Sequence, residues 1–209
     1  MKVIVFGASG GTGRELVKQA IAHGYSVTVF VRNPAKFDIE HPRISIQQGD
    51  VADRVAVERA IRGQDEVICA LGGSSLLKRD PSLVVGIHNI VLSMEQASVQ
   101  RLIYLSNDAV KDARSRMHVF RRCLVSVLLR NVAADHELNE NMIKQSKLDW
   151  VIVRPPILTR GERTGSYRSG DHVEPRSLFP RISRADVAQF MLKQLSDDTF
   201  LHGTPIVMY

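Results

Sequence analysis

The chain has 209 residues, 44% of them hydrophobic and 24% charged, with 14 Gly and 8 Pro, which suits one domain with its own core and excludes fibrous, collagenous and disordered classes. A formal net charge of +6 favours polyanions and phosphorylated small molecules alike, and does not choose between them. Cys69 and Cys123 lie far apart with no C-x-x-C spacing, so they imply neither a disulfide framework nor a zinc site and read as buried, reduced thiols.

The first element is the apolar run "KVIVF" at 2 to 6. It is too short to be the core of a signal peptide, and no segment of the sequence approaches about 18 consecutive apolar residues. The expectation is a cytoplasmic protein with no integral membrane segment. No repeat with a period of about 20 to 50 residues and no low-complexity tract occurs.

Further apolar runs follow at "SVTVFV" (26 to 31), "RISIQQ" (43 to 48), "EVICAL" (66 to 71), "RLIYLS" (101 to 106) and "DWVIVR" (149 to 154). Helical patterns lie between them: "RELVKQAIAHG", "ADRVAVERAIRG", "PSLVVGIHNIVLSMEQA" and "HELNENMIKQS". Strands rich in Val and Ile on both faces, alternating with helices, predict a parallel sheet covered on both sides, a doubly wound α/β fold in a single domain over 1 to 209. Asp80 before Pro81 reads as N-cap and first helical residue, Gly24 and Gly63 as left-handed helix ends, and Ser183 with Asp186 as a variant capping box.

Directly after the first strand stands "GASGGTG", residues 7 to 13, opening a helical pattern. G-x-x-G-x-x-G marks many turns, but in this strand-to-helix context it reads as the turn that seats a dinucleotide's pyrophosphate. Gly7 turns the chain, Gly10 lets backbone approach phosphate, and Gly13 lets the helix pack on the strand. Ser9, Gly11 and Thr12 complete the loop and the free N–H groups at the helix start. At the end of the second strand, where an acidic residue would bind a ribose 2′-OH, this chain has Arg32. An arginine there pairs with a 2′-phosphate and predicts NADP(H) over NAD by about 10- to 100-fold. Arg14 and Lys36 are candidates to join that phosphate site.

With "VRNP", "QQGDV", "ALGG", "YLSN", "VRPP" and "ISRADVA" in this order, nearly the whole chain resembles the atypical short-chain dehydrogenase/reductases. More narrowly, it is similar to the NAD(P)H-binding branch that contains flavin reductase, also called biliverdin-IXβ reductase. The resemblance implies that Asp50 and Val51 border the adenine, and Leu71, Gly72 and Gly73 the ribose and pyrophosphate. Ser106, Pro155 and Pro156 would lie at the nicotinamide end. Each stands at the carboxyl end of a predicted strand, where open α/β sheets bind ligands.

Typical short-chain dehydrogenases move a proton with a tyrosine and a lysine four residues later. None of Tyr25, Tyr104, Tyr167 and Tyr209 has that partner, which disfavours carbonyl–alcohol chemistry by this route and also the modification of nucleotide sugars. Acceptors that take hydride at a conjugated ring position, such as a flavin, a quinone or a linear tetrapyrrole, need mainly proximity and orientation, since water can supply the proton. Ser106 and His136 are the candidate catalytic residues, His136 matching a family histidine position. Histidine follows the Pro-Pro pair in some members of the branch, but Ile157 stands there in this chain. His136 and Glu140 have i, i+4 spacing with no evident third ligand, so no metal is expected.

The basic segment 111 to 131 and the segment 158 to 181 are expected to cover a substrate cleft. Lys111, Arg114, Arg116, Arg121, Arg122 and Arg130 suit steering of an anionic acceptor, a solvated helix face, or a membrane or partner surface. Phe120 is the one aromatic there, too few for a base-stacking platform, so no nucleic-acid partner is expected. The sequence thus predicts an NADPH-dependent reductase of conjugated acceptors, with a non-catalytic NADP(H)-binding redox sensor or scaffold as the rival. Oligomeric state is left open.

Overall fold

A computed structural model describes residues 1–72, 79–114 and 129–209. Strands β1 (Lys2–Phe6), β2 (Ser26–Val31), β3 (Ile44–Gln48), β4 (Glu66–Cys69), β5 (Arg101–Leu105) and β6 (Asp149–Val153) form one sheet in the order β3-β2-β1-β4-β5-β6. Every pairing in it is parallel. The order reverses direction between β1 and β4, which opens a crevice beyond the carboxyl ends of those strands.

Both faces of the sheet are buried except at the edge strand β3, where Ile46 is exposed. Val3 and Val5 of β1 point into one layer with Leu16, Val17 and Ala20 of α1 (Gly11–Ala22) and Val187, Ala188 and Met191 of a C-terminal helix (Arg184–Lys193). Ile4 and Phe6 point into the opposite layer, against α2 (Arg54–Ile61) and α3 (Pro81–Ala97). The period of two along a strand and 3.6 along a helix thus assign each apolar residue to one of two cores.

Beyond β5 come a single turn, α4 (Lys111–Arg114), and α5 (Arg130–Gln145); the C-terminal helix is α6. The helix expected at 136 to 146 begins six residues earlier, because "RNVAAD" continues its buried stripe. His136 therefore lies in the second turn. Asp80 does occupy the N-cap position of α3 with Pro81 in the first turn, but its carboxylate makes no cap bond; it accepts the Ser82 hydroxyl instead. Gly24 and Gly63 are left-handed as read.

The segment from 157 onward adds two small pairings: β7 (Ile157–Thr159) parallel to β9 (Arg181–Ser183), and β8 (Arg168–Gly170) antiparallel to β10 (Ile206–Met208). Asp186, at the start of α6, ties it down. Its carboxylate accepts from the N–H groups of Thr164 and Gly165 and from the hydroxyls of Thr164, Ser183 and Tyr209, at 2.7 to 3.0 Å. Burial would raise this carboxyl, but those donors outweigh it and hold the group below its ordinary range. The Ser183 hydroxyl also accepts from the Asp186 N–H at 3.0 Å, so the capping box forms. The basic segment expected over the cleft falls mostly on 115 to 128, outside the described residues, as does Cys123; Cys69 is a free, buried thiol, pushed up to about 12 by burial.

Candidate functional site: a crevice at the β1–β4 switch point

At the end of β1, Gly7 has φ +82°, a left-handed conformation, and a Cβ there would overlap the Ala70 carbonyl oxygen. A Cβ on Gly13 would overlap the Gly7 carbonyl oxygen and stand 2.7 Å from the Ala8 Cα. Turn, helix and neighbouring strand can come this close only as glycine. The Gly10 N–H donates to the Gly7 carbonyl at 3.0 Å, which closes the turn and leaves α1 to begin with no side-chain cap and no acidic residue in its first turn. Helical geometry gives the N–H groups of Gly11, Thr12 and Gly13 no partner one turn back. Among the described residues, the Gly7 oxygen is the one non-neighbouring atom within 4 Å of an ideal Cβ at Gly10, so these residues leave the cradle open where a phosphate would approach.

One cleft gathers eight of the expected residues: Gly7, Ser9, Gly10, Arg32, Asp50, Val51, Leu71 and Gly72, joined by Phe30, Ala70, Ser82 and Leu83. Its floor is locally fixed. The Asp50 carboxylate accepts from the Ala52 N–H at 2.9 Å, and Asp53 caps α2 through the N–H groups of Val55 and Ala56. Asn89 of α3 donates to the Val51 and Ala52 carbonyls, while Gly86 makes room for the Val51 side chain. Arg32 is exposed at the rim, and no carboxylate of the described residues pairs with it.

The other expected residues distribute differently. Thr12 and Gly13 are buried under the turn, Gly11 opens on a separate depression, and Gly73 lies outside the described residues. Arg14 does not join Arg32: its guanidinium pairs with Asp38 and donates to the Lys36 carbonyl at 2.7 Å. That ion pair lowers the Asp38 carboxyl.

At the far end of the sheet, Ser106, Pro155 and Pro156 are buried at the carboxyl ends of β5 and β6. The Ser106 hydroxyl donates to Glu140 Oε1 at 2.7 Å. Glu140, 2% exposed, is gripped by Arg154, 3% exposed, through Nε at 3.0 Å and Nη2, and accepts from Lys144 Nζ at 3.1 Å. Arg154 also reaches Asp112 Oδ2 at 3.0 Å. Burial disfavours the guanidinium charge, but Glu140 and Asp112 more than offset it and raise Arg154 further. The serine's one hydrogen is thus committed inward, and what its oxygen has left for a ligand is lone-pair capacity.

His136, the other candidate catalytic residue, is 5% exposed, its Nδ1 2.7 Å from the Tyr104 hydroxyl, which accepts from Asn139 Nδ2 at 3.1 Å. Burial, opposed by the charges of Glu140 and Asp135, lowers the imidazole to about 4, so it is neutral at pH 7; burial likewise lifts the Tyr104 phenol well above its usual value. The residues that sequence reasoning missed are Glu140, Arg154 and Tyr104. A signal existed: Asp135, His136, Asn139 and Glu140 share the buried face of α5 with Ile143, and polar groups on a buried stripe require partners. Among the described residues no cluster of His, Cys, Asp and Glu is placed to hold a metal, and no helix is long and apolar enough to cross a membrane.

Comparison with known proteins bears on this geometry. A family model described as NAD(P)H-binding matches residues 7–198. A curated relative from Streptomyces griseus, (4-alkanoyl-5-oxo-2,5-dihydrofuran-3-yl)methyl phosphate reductase, is 27% identical over 153 residues, 73% of this chain and 46% of the relative. The chain therefore spans less than half the length of that protein. Among solved structures, the anaerobilin reductase ChuY of Escherichia coli O157:H7 superposes with a TM-score of 0.83 at 19% identity, covering 99% of this chain and 96% of its own. A short-chain dehydrogenase/reductase from Veillonella parvula DSM 2008, solved with NADP, superposes at 0.79 with 17% identity over 99% and 93% of the two chains. At these identities the superpositions show the fold.

Proposed function

The chain belongs to the NAD(P)H-binding family, and from that premise we propose that it is an NADPH-dependent reductase passing hydride to a flavin, a quinone or a similar conjugated acceptor. The observation that carries this reading is the glycine cradle with the exposed Arg32 at its rim, which pairs with no carboxylate of the described residues, in one cleft. The first-turn N–H groups of α1 would hold the pyrophosphate, Arg32 the 2′-phosphate, and Asp50 and Val51 would border the adenine. Ser106, Pro155 and Pro156 would bound the nicotinamide end, with the serine oxygen accepting from an N–H donor. Bound there, a reduced nicotinamide supplies the hydride.

The chain's own proton donors favour an acceptor that needs none from the protein. Ser106 donates to Glu140, His136 is neutral and bonded to Tyr104, and no tyrosine has the paired lysine. A carbonyl reduced to an alcohol needs a proton delivered at its oxygen; a flavin, quinone or tetrapyrrole can draw on solvent. The reductase names of the Streptomyces relative and of ChuY agree with hydride transfer to an unsaturated acceptor. The test is absorbance at 340 nm with saturating NADPH on adding FMN, a quinone or a bilin. Oxidation well above that of a Gly10→Asp variant supports the reading. Tight NADPH binding without oxidation would replace it with the redox sensor.

A further inference from the structure

The motif "ISRADVA" contains a cation that the cleft so far leaves unused. Arg184 is the first residue of α6, yet its side chain runs across to the start of α1: its Cδ and Nε stand 2.7 and 2.8 Å from where a Cβ on Gly11 would be. Gly11 thus makes room for an arginine lying over it, a contact separate from the backbone turn geometry that fixes Gly7 and Gly13. The start of α6 is rigid, since the Ser183 and Asp186 side chains cap it and anchor 164 and 165.

This is an unfavourable place for a positive charge. The amino end of a helix carries the positive pole of its dipole, which attracts anions and repels cations, and α1 has neither a side-chain cap nor a first-turn acid to neutralise it. The nearby carboxylates serve other cations: Asp38 is paired with Arg14, and Glu15 with Lys18 at 3.4 Å. Among the described residues Arg184 has no carboxylate partner, and Arg160, on the same depression, adds like charge. Two arginines with no carboxylate partner among the described residues, beside an uncapped helix start, are electrostatically consistent once an anion stands between them.

We propose that Arg184 is a cofactor-binding residue that clamps the dinucleotide's diphosphate from the side opposite the Gly7–Gly10 turn, with Arg160 adding to the field. The inference rests on the NADPH reading of the cleft. It divides the phosphates between two arginines: Arg32 answers the 2′-phosphate, which NADH lacks, and Arg184 answers the diphosphate, which NADPH and NADH share.

The experiment is calorimetric titration of wild type, Arg184→Gln, Arg184→Lys and Arg32→Gln with NADPH, NADH, ADP-ribose and adenosine 2′-monophosphate, alongside ligand-free melting curves. The expected result is that Arg184→Gln weakens NADPH, NADH and ADP-ribose by the same factor, on the order of ten-fold. Adenosine 2′-monophosphate, which has no diphosphate, stays at the wild-type affinity, and Arg184→Lys recovers part of the loss. Because the arginine opposes the helix dipole, the ligand-free Arg184→Gln protein melts no earlier than wild type. Unchanged ADP-ribose affinity, or an earlier ligand-free melt with all four ligands weakened together, would overturn the clamp and leave Arg184 a packing residue. Wild type that binds no dinucleotide would refute the proposed function itself, a result read before any variant is compared.

Discussion

Along β1 to β4 the crevice is shaped by close backbone approach at glycines; at β5 and β6 it rests on a network of buried, mutually bonded side chains. The first region needs glycine at 7 and 13, a bare helix start and the one side chain of Arg32 at its rim. The second needs Ser106 to meet Glu140 across 34 residues and Arg154 to meet Asp112 across 42. Backbone sites bind a feature that many ligands share, here a phosphate; side-chain networks fix the polarity of one atom, here the Ser106 oxygen. The difference teaches which region carries stability at risk and which carries affinity at risk.

The largest effect should come from breaking the buried pair. Glu140→Leu leaves Arg154 buried with only the half-exposed Asp112, and the expected cost is about 3–5 kcal/mol in urea denaturation. The double variant with Arg154→Met should cost less than the sum of the two single changes; strict additivity would show that the pair is not coupled.

Next comes the response to pH. His136 is lowered from 6.5 to about 4, so between those values the unfolded chain binds a proton that the folded chain refuses. Its contribution is present above about pH 6.5 and is lost as pH falls toward 4, roughly 2 kcal/mol between pH 8 and pH 5. Glu66, raised by burial to about 7, runs the other way, losing stability as pH rises from 4.5 to 7. The wild-type curve mixes both, so the check is the stability of wild type minus that of His136→Gln, which should decrease by that amount as pH falls from 8 to 5. A flat difference would place the imidazole in water.

Gly13→Ala inverts the comparison. Its Cβ meets the Gly7 carbonyl, so stability should fall by about 1–3 kcal/mol, less than for Glu140→Leu, while dinucleotide affinity falls more. Equal affinity losses in the two variants would erase the distinction between the regions. The smallest effect is that of Asp53→Ala, which removes the α2 cap for about 1 kcal/mol in melting experiments.

The backbone region was the legible one. Strand alternation, the glycine spacing and the arginine after β2 are local patterns, and eight expected residues lie in one cleft. The side-chain region was legible only in its positions. Ser106 and the prolines stand at strand ends, but nothing near Ser106 in sequence announces Glu140, and the partner of His136, Tyr104, lies 32 residues away on β5. Arg14 misled for the converse reason: its position suited a phosphate, but Asp38 was free to take it. Arg184 escaped notice because "ISRADVA" reads as a helix start, and only the folded chain lays that side chain across Gly11.

The most direct measurement is titration of wild type and Arg32→Asp with NADPH and NADH, followed by nicotinamide fluorescence. Wild type should bind NADPH about 10- to 100-fold more tightly than NADH, and Arg32→Asp should reverse that order with little change in NADH affinity. An unchanged NADPH-to-NADH ratio in the variant would contradict the assignment of the cleft.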